Sequence, residues 1–320
     1  MAKSQLLITS RGRTFECAVQ EGITWETQRK GAPGQLNFNV LKDEILGFHE
    51  GDLVQFKYDG KEIFSGFVFT KKRSNNRIIS VTAFDQLWYL KNKDVVSYKG
   101  KTAAQVLQML AKDFRLKLGI IADTKHVIAT RVEDTAELFT VIDNALSITT
   151  KNTGALYVLY DDYGKLNLRD VKTLKLDILI DEESGEAFDY TTSIADNTYN
   201  KVRVYRENKD TGIRDNYYAQ HGENMNQWGV LQLTESLEEG ENGQAKADAL
   251  LALYNRKSRK LHINKVFGDT RVRAGSTLGV QMYLGDLKVS NYMMVEKVKH
   301  TFFESDHRMD LSLIGGDFVA

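Results

Sequence analysis

The chain has 320 residues, 42% of them hydrophobic and 27% charged, and its 43 basic side chains are matched by 43 acidic ones. That length suggests two or three domains with ordinary cores, and a net charge of zero argues against nucleic acid or an anionic membrane surface as a general partner. A single cysteine, Cys17, excludes an intrachain disulfide and points to folding in a reducing compartment, while apolar stretches such as Ile63–Phe69 are too short to span a bilayer. No signal-peptide pattern opens the sequence, and with Pro33 as the only proline there is no Pro-rich linker, so the modules are expected to pack directly on one another.

Residues 1–98 read as all-β. Segments 5–9, 14–19, 35–41, 53–58, 62–70 and 78–84 have strand composition, Asp59-Gly60 is a type I′ hairpin signal, and Gly31–Gly34 marks a loop. Residues 99–180 change character and predict a small α/β module. Thr102 and Gln105 have capping-box spacing ahead of an apolar stripe from Ala103 to Phe114, and Asp134 with Glu137 suggests a second capped start. A hairpin pairing Tyr157–Tyr160 with Leu166–Arg169 follows, turning at Asp161-Asp162-Tyr163-Gly164. Residues 181–320 return to β, with a hairpin of Lys201–Glu207 and Arg214–Gln220 around Asn208–Gly212. The acidic loop Glu235–Gly243 leads into one helix at about 244–257.

Two stretches, 48–85 and 272–315, read as versions of one unit. Gly51 aligns with Gly275, and Val54, Phe56 and Tyr58 with Leu278, Val280 and Met282. Gly60 aligns with Gly285, Val68 with Val295, and Ile79, Val81 and Ala83 with Met309, Leu311 and Leu313. Period-two alternation with glycine at the corners is the pattern of a β-meander. The expected fold class is mainly β with an α+β insertion: two related antiparallel β-barrel domains, 1–98 and 181–320, and a small α/β domain at 99–180.

The meander strands are apolar on both faces. Ile63, Phe67 and Phe69 alternate with Phe64, Gly66 and Val68, and Tyr292–Val295 repeats the pattern. A barrel strand needs one apolar face inside, so the second face is expected to be covered by another subunit or by the chain's own α/β module. Alternation makes Phe64 and Val68 the outward candidates, and Phe64, Val68, Tyr292 and Met294 are the candidate interface residues.

No catalytic, cofactor or metal signature is present. Among the six histidines, only His300 and His307 could face each other across a hairpin, and a structural role is expected for them. Asp161-Asp162 is expected to be a solvated turn and Cys17 a packed thiol. The basic runs Lys71–Arg73 with Arg77, and Arg256–Lys260, are expected to be a hairpin tip and a helix end rather than phosphate contacts.

The full chain resembles the XkdQ-type baseplate hub proteins of contractile-tailed phages and defective prophages. The residues that carry this are Trp25, Glu50–Asp52, Phe64–Lys72, Thr82–Leu87, Tyr89–Asn92, Leu159–Leu166, Asn208–Gly212, Trp228–Gln232, Arg273–Ser276 and His307–Leu311. The resemblance implies a non-enzymatic, tail-tube-like homotrimer without cofactors. It would adapt a hexameric tail tube to a trimeric central spike, with other baseplate proteins as further partners and no specific nucleic acid or membrane insertion. It also implies assembly in the host cytoplasm and residence in the virion baseplate. The α/β module, which interrupts the β pattern with its own capped helices, is expected to be a peripheral insertion facing away from the ring axis. The alternative is a carbohydrate- or wall-binding β protein of a phage tail, for which the 10% aromatic content would suffice, although Trp25, Trp88 and Trp228 are scattered within strand-like patterns where core packing is the default; an enzyme is a more distant third.

Overall fold

The computed structural model describes residues 4–42, 45–73, 77–207, 212–237, 241–283 and 288–315. The first region holds β1 (Ser4–Ser10), β2 (Arg13–Glu16), β3 (Ile23–Gln28), β4 (Gln35–Leu41), β5 (Leu53–Tyr58), β6 (Lys61–Arg73) and β7 (Ile78–Phe84). A 3-10 turn at Gln86–Lys91 leads into β8 (Lys93–Thr102), α1 (Ala103–Asp113), β9 (Leu118–Ile121), β10 (Val127–Glu137), α2 (Leu138–Thr153), β11 (Tyr157–Asp161) and β12 (Leu166–Asp170). The chain continues through β13 (Lys175–Ile180), β14 (Ala187–Ser193), β15 (Lys201–Glu207), β16 (Arg214–Gln220), α3 (Gly222–Trp228), β17 (Gln232–Ser236) and α4 (Gly243–Tyr254). It closes with β18 (Ser258–Phe267), β19 (Thr277–Tyr283), β20 (Lys288–Phe302) and β21 (His307–Gly315).

One thirteen-stranded sheet carries both barrel regions. In the first, β1-β5-β6-β7-β4 are neighbours, and the segment after β2 closes the ring: Cys17 N–H donates to Leu6 O at 3.0 Å, and Leu41 N–H to Ala18 O at 2.9 Å. Alternation places Leu6, Ile8, Leu36, Val54, Phe56, Val68, Val81 and Ala83 inside it. The second follows the order β14-β18-β21-β20-β19-β13, with no ladder between β14 and β13 among the described residues. Leu261, Ile263, Leu278, Val280, Met293, Val295, Val298, Leu311 and Leu313 fill it. The halves are joined by main-chain hydrogen bonds, because β20 is long enough to pair with β19 by its first half and with β3 by its second, Lys297–Phe302.

The two repeats match in detail. β5-β6-β7 and β19-β20-β21 are both antiparallel meanders. Gly51 has φ +89° and Gly275 φ +94°, a backbone region costly for residues with a Cβ. Gly51 N–H donates to Val68 O (2.7 Å), Val68 N–H to Asp52 O (2.9 Å) and Asp52 N–H to His49 O (3.2 Å). The same three bonds recur as Gly275 to Val295 (2.8 Å), Val295 to Ser276 (2.8 Å) and Ser276 to Arg273 (2.9 Å). A β-bulge follows at the same place in each copy, after Val68 and after Val295. Asp59 and Gly60 both have positive φ, as a type I′ turn requires; the aligned Gly285 lies outside the described residues.

The α/β module builds its own core from α1, α2 and the strands around them. Thr102 and Gln105 form the reciprocal capping box that starts α1. The second helix starts later than Asp134: β10 continues to Glu137, paired with β8 through Ala136↔Asp94, so the ladder takes the backbone groups that a helix there would use. The strand β3 is not among the segments that composition marked. Residues within 181–320 also divide. β16-β15-β17 form a separate sheet whose core, Val202, Val204, Ala219, Ala247 and Leu250, is covered by α4. The single barrel expected over that span is therefore a barrel with an inserted α/β unit. Part of the Asn208–Gly212 turn, and part of the acidic loop before α4, lie outside the described residues.

Candidate assembly interface and module junction

Phe64 and Val68 are core residues of the first barrel, 3% and 1% exposed. The expected outward assignment is reversed, and the cause is a bulge: Phe56 pairs with Phe64 but Lys57 with Glu62, so Ile63 is the extra residue and both Ile63 and Phe64 turn inward. The outward aromatic set is Phe67 and Phe69, and the chain itself covers it. Phe69 lies 4.8 Å from Trp88 and Phe67 6.1 Å from Tyr89, both on the 3-10 turn. Met294 does face out of the second barrel but is fully buried, in a cluster with Val158 and Val171 of the α/β module. Met294 is therefore an internal contact rather than a free surface.

Tyr292 is the exception. It is 44% exposed, with Lys175 Nζ 3.7 Å from its ring centre. Leu179, Gly279 and Tyr292 sit side by side across β13, β19 and β20, and Leu179 is exposed too. Of the four candidates, this row alone leaves an apolar outer face open.

The three modules meet at Arg273, in the tight turn before β19. Its guanidinium donates to Asp161 O (3.1 Å) and Asp162 Oδ1 (3.2 Å) and lies over the rings of Tyr160 (4.6 Å) and Trp25 (5.8 Å). The neighbouring Ala274 N–H donates to Thr27 Oγ1 at 3.0 Å. Arg273 therefore ties β3, the β11–β12 turn and β19 together. Beneath it Asp85 is buried, accepting from Gly34 N–H (2.9 Å) and Leu87 N–H (3.0 Å). A side chain at residue 34 would collide with that carboxylate, so glycine is required there by close approach.

Asp161 and Asp162 differ, which corrects the expected solvated turn. Asp162 is exposed and paired with Arg273. Asp161 Oδ1 accepts from Gly164 N–H at 2.7 Å, while its Oδ2 is enclosed with no partner. Burial pushes the Asp161 carboxyl up to about 6, against the opposing pull of the Gly164 N–H, Gln86 and Arg273. Burial, and then the charge of Asp161, holds Asp85 well above the usual carboxylate range.

His300 and His307 do face each other, Nδ1 to Nε2, at 2.9 Å. His300 Nε2 donates to Val272 O (2.9 Å), and in the neutral pair its Nδ1 accepts from His307 Nε2–H. His300 stacks on Trp25 at 4.9 Å, across the β3–β20 seam. Burial lowers His300 to about 3, helped by His307, and lowers His307 to about 4. Among the described residues no group of three or more His, Cys, Asp or Glu side chains could hold a metal ion. Trp25 is a buried strand residue, but Trp88 lies on the 3-10 turn and Trp228 in α3, so the strand-like setting expected for all three holds for one. No described helix is long and apolar enough to cross a membrane.

Comparison with known proteins places this architecture. The sequence model of the YQBQ-like family matches residues 23–314. The phage-like element PBSX protein XkdQ of Bacillus subtilis is 29% identical over 311 residues, covering 92% of each chain. A tail protein from Neisseria meningitidis shares the fold with a TM-score of 0.68 at 10% identity, over 98% of this chain and 96% of that one. An Escherichia coli protein, c3393, aligns with a TM-score of 0.57 at 10% identity over 98% of this chain and 77% of that one. It is described as a type VI secretion component similar to the T4 tail proteins gp27 and gp5.

Proposed function

The chain belongs to the YQBQ-like family and shares its fold with phage tail proteins, and on that premise we propose that it is the structural hub of a contractile tail baseplate. Three copies form a ring of six similar barrels, which adapts a hexameric tail tube to a trimeric central spike. The role is structural, without a catalytic step, and the protein passes from the host cytoplasm into the baseplate on assembly. The observation that carries this reading is the duplication. Two barrels with the same meander, the same glycine turn and the same bulge are joined edge to edge by the β3–β20 ladder. A two-fold repeat within each of three chains gives six near-equivalent units, matching six-fold symmetry on one side and three-fold on the other. Tyr292, exposed beside Leu179, remains as a contact residue for a tube, spike or baseplate partner.

The test is the mass of the purified chain in solution, alone and mixed with the cognate spike protein. A three-chain species, by itself or with the spike, is expected. A chain that stays monomeric in both conditions overturns the hub reading. The carbohydrate-binding alternative needs open aromatic faces for sugar stacking, and Trp25 is buried in the barrel core.

A further inference from the structure

The internal ladder between the two barrels predicts its own counterpart between copies. Register equivalence runs through both barrels. β4 pairs with β7 as β18 pairs with β21: Leu36↔Ala83 and Phe38↔Val81 correspond to Leu261↔Leu313 and Ile263↔Leu311. One strand further out, β3 lies on β4 as β14 lies on β18, with Trp25↔Leu36 matching Tyr190↔Leu261. So β14 is the second copy of β3. By the same bookkeeping the end of β6 is the first copy of the end of β20: Thr70↔Thr82 and Lys72↔Ser80 correspond to Lys297↔Ser312 and Lys299↔Asp310.

In the chain, the β20 end and β3 pair with each other. Their counterparts, the β6 end and β14, have no such partner among the described residues. β14 is the terminal strand of the sheet, paired only with β18, and most of its residues are exposed, Phe188 at 42%. β6 pairs with β5 only as far as Phe67, which leaves one side of Thr70–Arg73 open. Open strand edges are templates for pairing with another chain.

We infer that β6 of one copy adds in antiparallel register to β14 of the next, Lys72 opposite Thr191 and Arg73 opposite Tyr190, continuing the sheet from chain to chain around the ring. The side chains suit the pairing. Arg73 takes the position of His300 and Tyr190 that of Trp25, so a ring stack inside the chain becomes a cation over an aromatic ring between copies. Lys72 and Asp189, both exposed and without an ion pair among the described residues, become diagonal neighbours on the outer face. The contact is heterologous, so it propagates head to tail and closes as a ring. The inference rests on the ring proposed above, and the following experiment separates the two.

Full-length chains carrying Lys72→Cys and Thr191→Cys singly are mixed and oxidised. Directly opposed residues have Cα atoms about 4.5–5.5 Å apart, within disulfide reach. A covalent dimer that forms in the mixture, but in neither variant alone, is expected. Lys72→Cys mixed with Thr192→Cys, one residue out of register and on the opposite face, is expected to give several-fold less. In parallel, Lys72→Glu/Arg73→Glu is expected to shift the mass from three chains to one with an unchanged circular dichroism spectrum. Three-chain mass without the cross-link, and unaltered by the double Glu variant, overturns the ladder and leaves the hub reading standing. Monomers throughout, with no cross-link, overturn both.

Discussion

The first and second copies of the meander share their backbone and differ in what their equivalent positions touch. His49 and Arg273 occupy the same place in the same turn. His49 is largely exposed, whereas Arg273 is clamped between Tyr160, Trp25 and the Asp161-Asp162 turn. Gly51 faces open space, while Gly275 faces Val158. Phe64 seals the first barrel, and its counterpart Asn291, opposite Val280 as Phe64 is opposite Phe56, is exposed. A duplicated backbone has thus been kept while the two copies meet the rest of the chain differently: the first through Phe67 and Phe69 against the 3-10 turn, the second through Arg273, Gly275 and Met294 against the α/β module. The hydrogen-bond frame sets the strand geometry, and side chains at a few equivalent positions set what docks on it.

The largest expected asymmetry is in the barrel interiors. Phe64→Asp places an unpaired carboxylate in the first core and should cost about 4 kcal/mol or more, whereas Asn291→Asp should stay within about 0.5 kcal/mol. Urea titration followed by circular dichroism reads both, and a folded, normally stable Phe64→Asp chain would restore the outward assignment. Arg273→Ala leaves enclosed acidic groups without their cation and should cost about 2–4 kcal/mol, against under about 0.5 kcal/mol for His49→Ala. Equal effects would show that Arg273 is not the tie between modules.

The turn glycines give a smaller contrast. Alanine at residue 51 meets only the positive-φ penalty, about 1 kcal/mol, while alanine at residue 275 also crowds Val158 and should lose about 3 kcal/mol in all. Thermal midpoints measured side by side decide it.

The smallest effect is a dependence on pH. Asp161 is raised from 3.8 to about 6, so its contribution to stability is complete below 3.8 and lost as pH rises through 6. His300 and His307 are lowered from 6.5, so theirs is complete above 6.5 and lost as pH falls toward 4 and 3. Asp161→Asn removes the first, together with the charge that helps hold Asp85 up, and leaves the histidines as they are. The variant should gain about 1 kcal/mol over the parent between pH 5 and pH 8. A parent-minus-variant difference that is flat across that range would mean that folding does not raise the Asp161 carboxyl into it.

Much of the fold was legible because its signals are local. The repeat, the Asp59-Gly60 turn, the Thr102 capping box, the β11–β12 hairpin and the facing of His300 and His307 all depend on residues close in sequence or on period-two alternation. What failed had a non-local cause. One bulged residue, Ile63, inverted the assignment of Phe64 and Val68, because a single inserted position exchanges the two faces of a strand and no residue type announces it. Asp161 read as a solvated turn and Met294 as an interface candidate because their partners, Arg273 for one and Val158 with Val171 for the other, lie more than a hundred residues away. The amino-acid order by itself determined the strands, their turns and the existence of two related meanders, since alternation and turn chemistry act within a few residues. Only the tertiary structure decided which face of each strand is inside, which copy carries the junction and which edges are left open, because those depend on packing between segments brought together by folding.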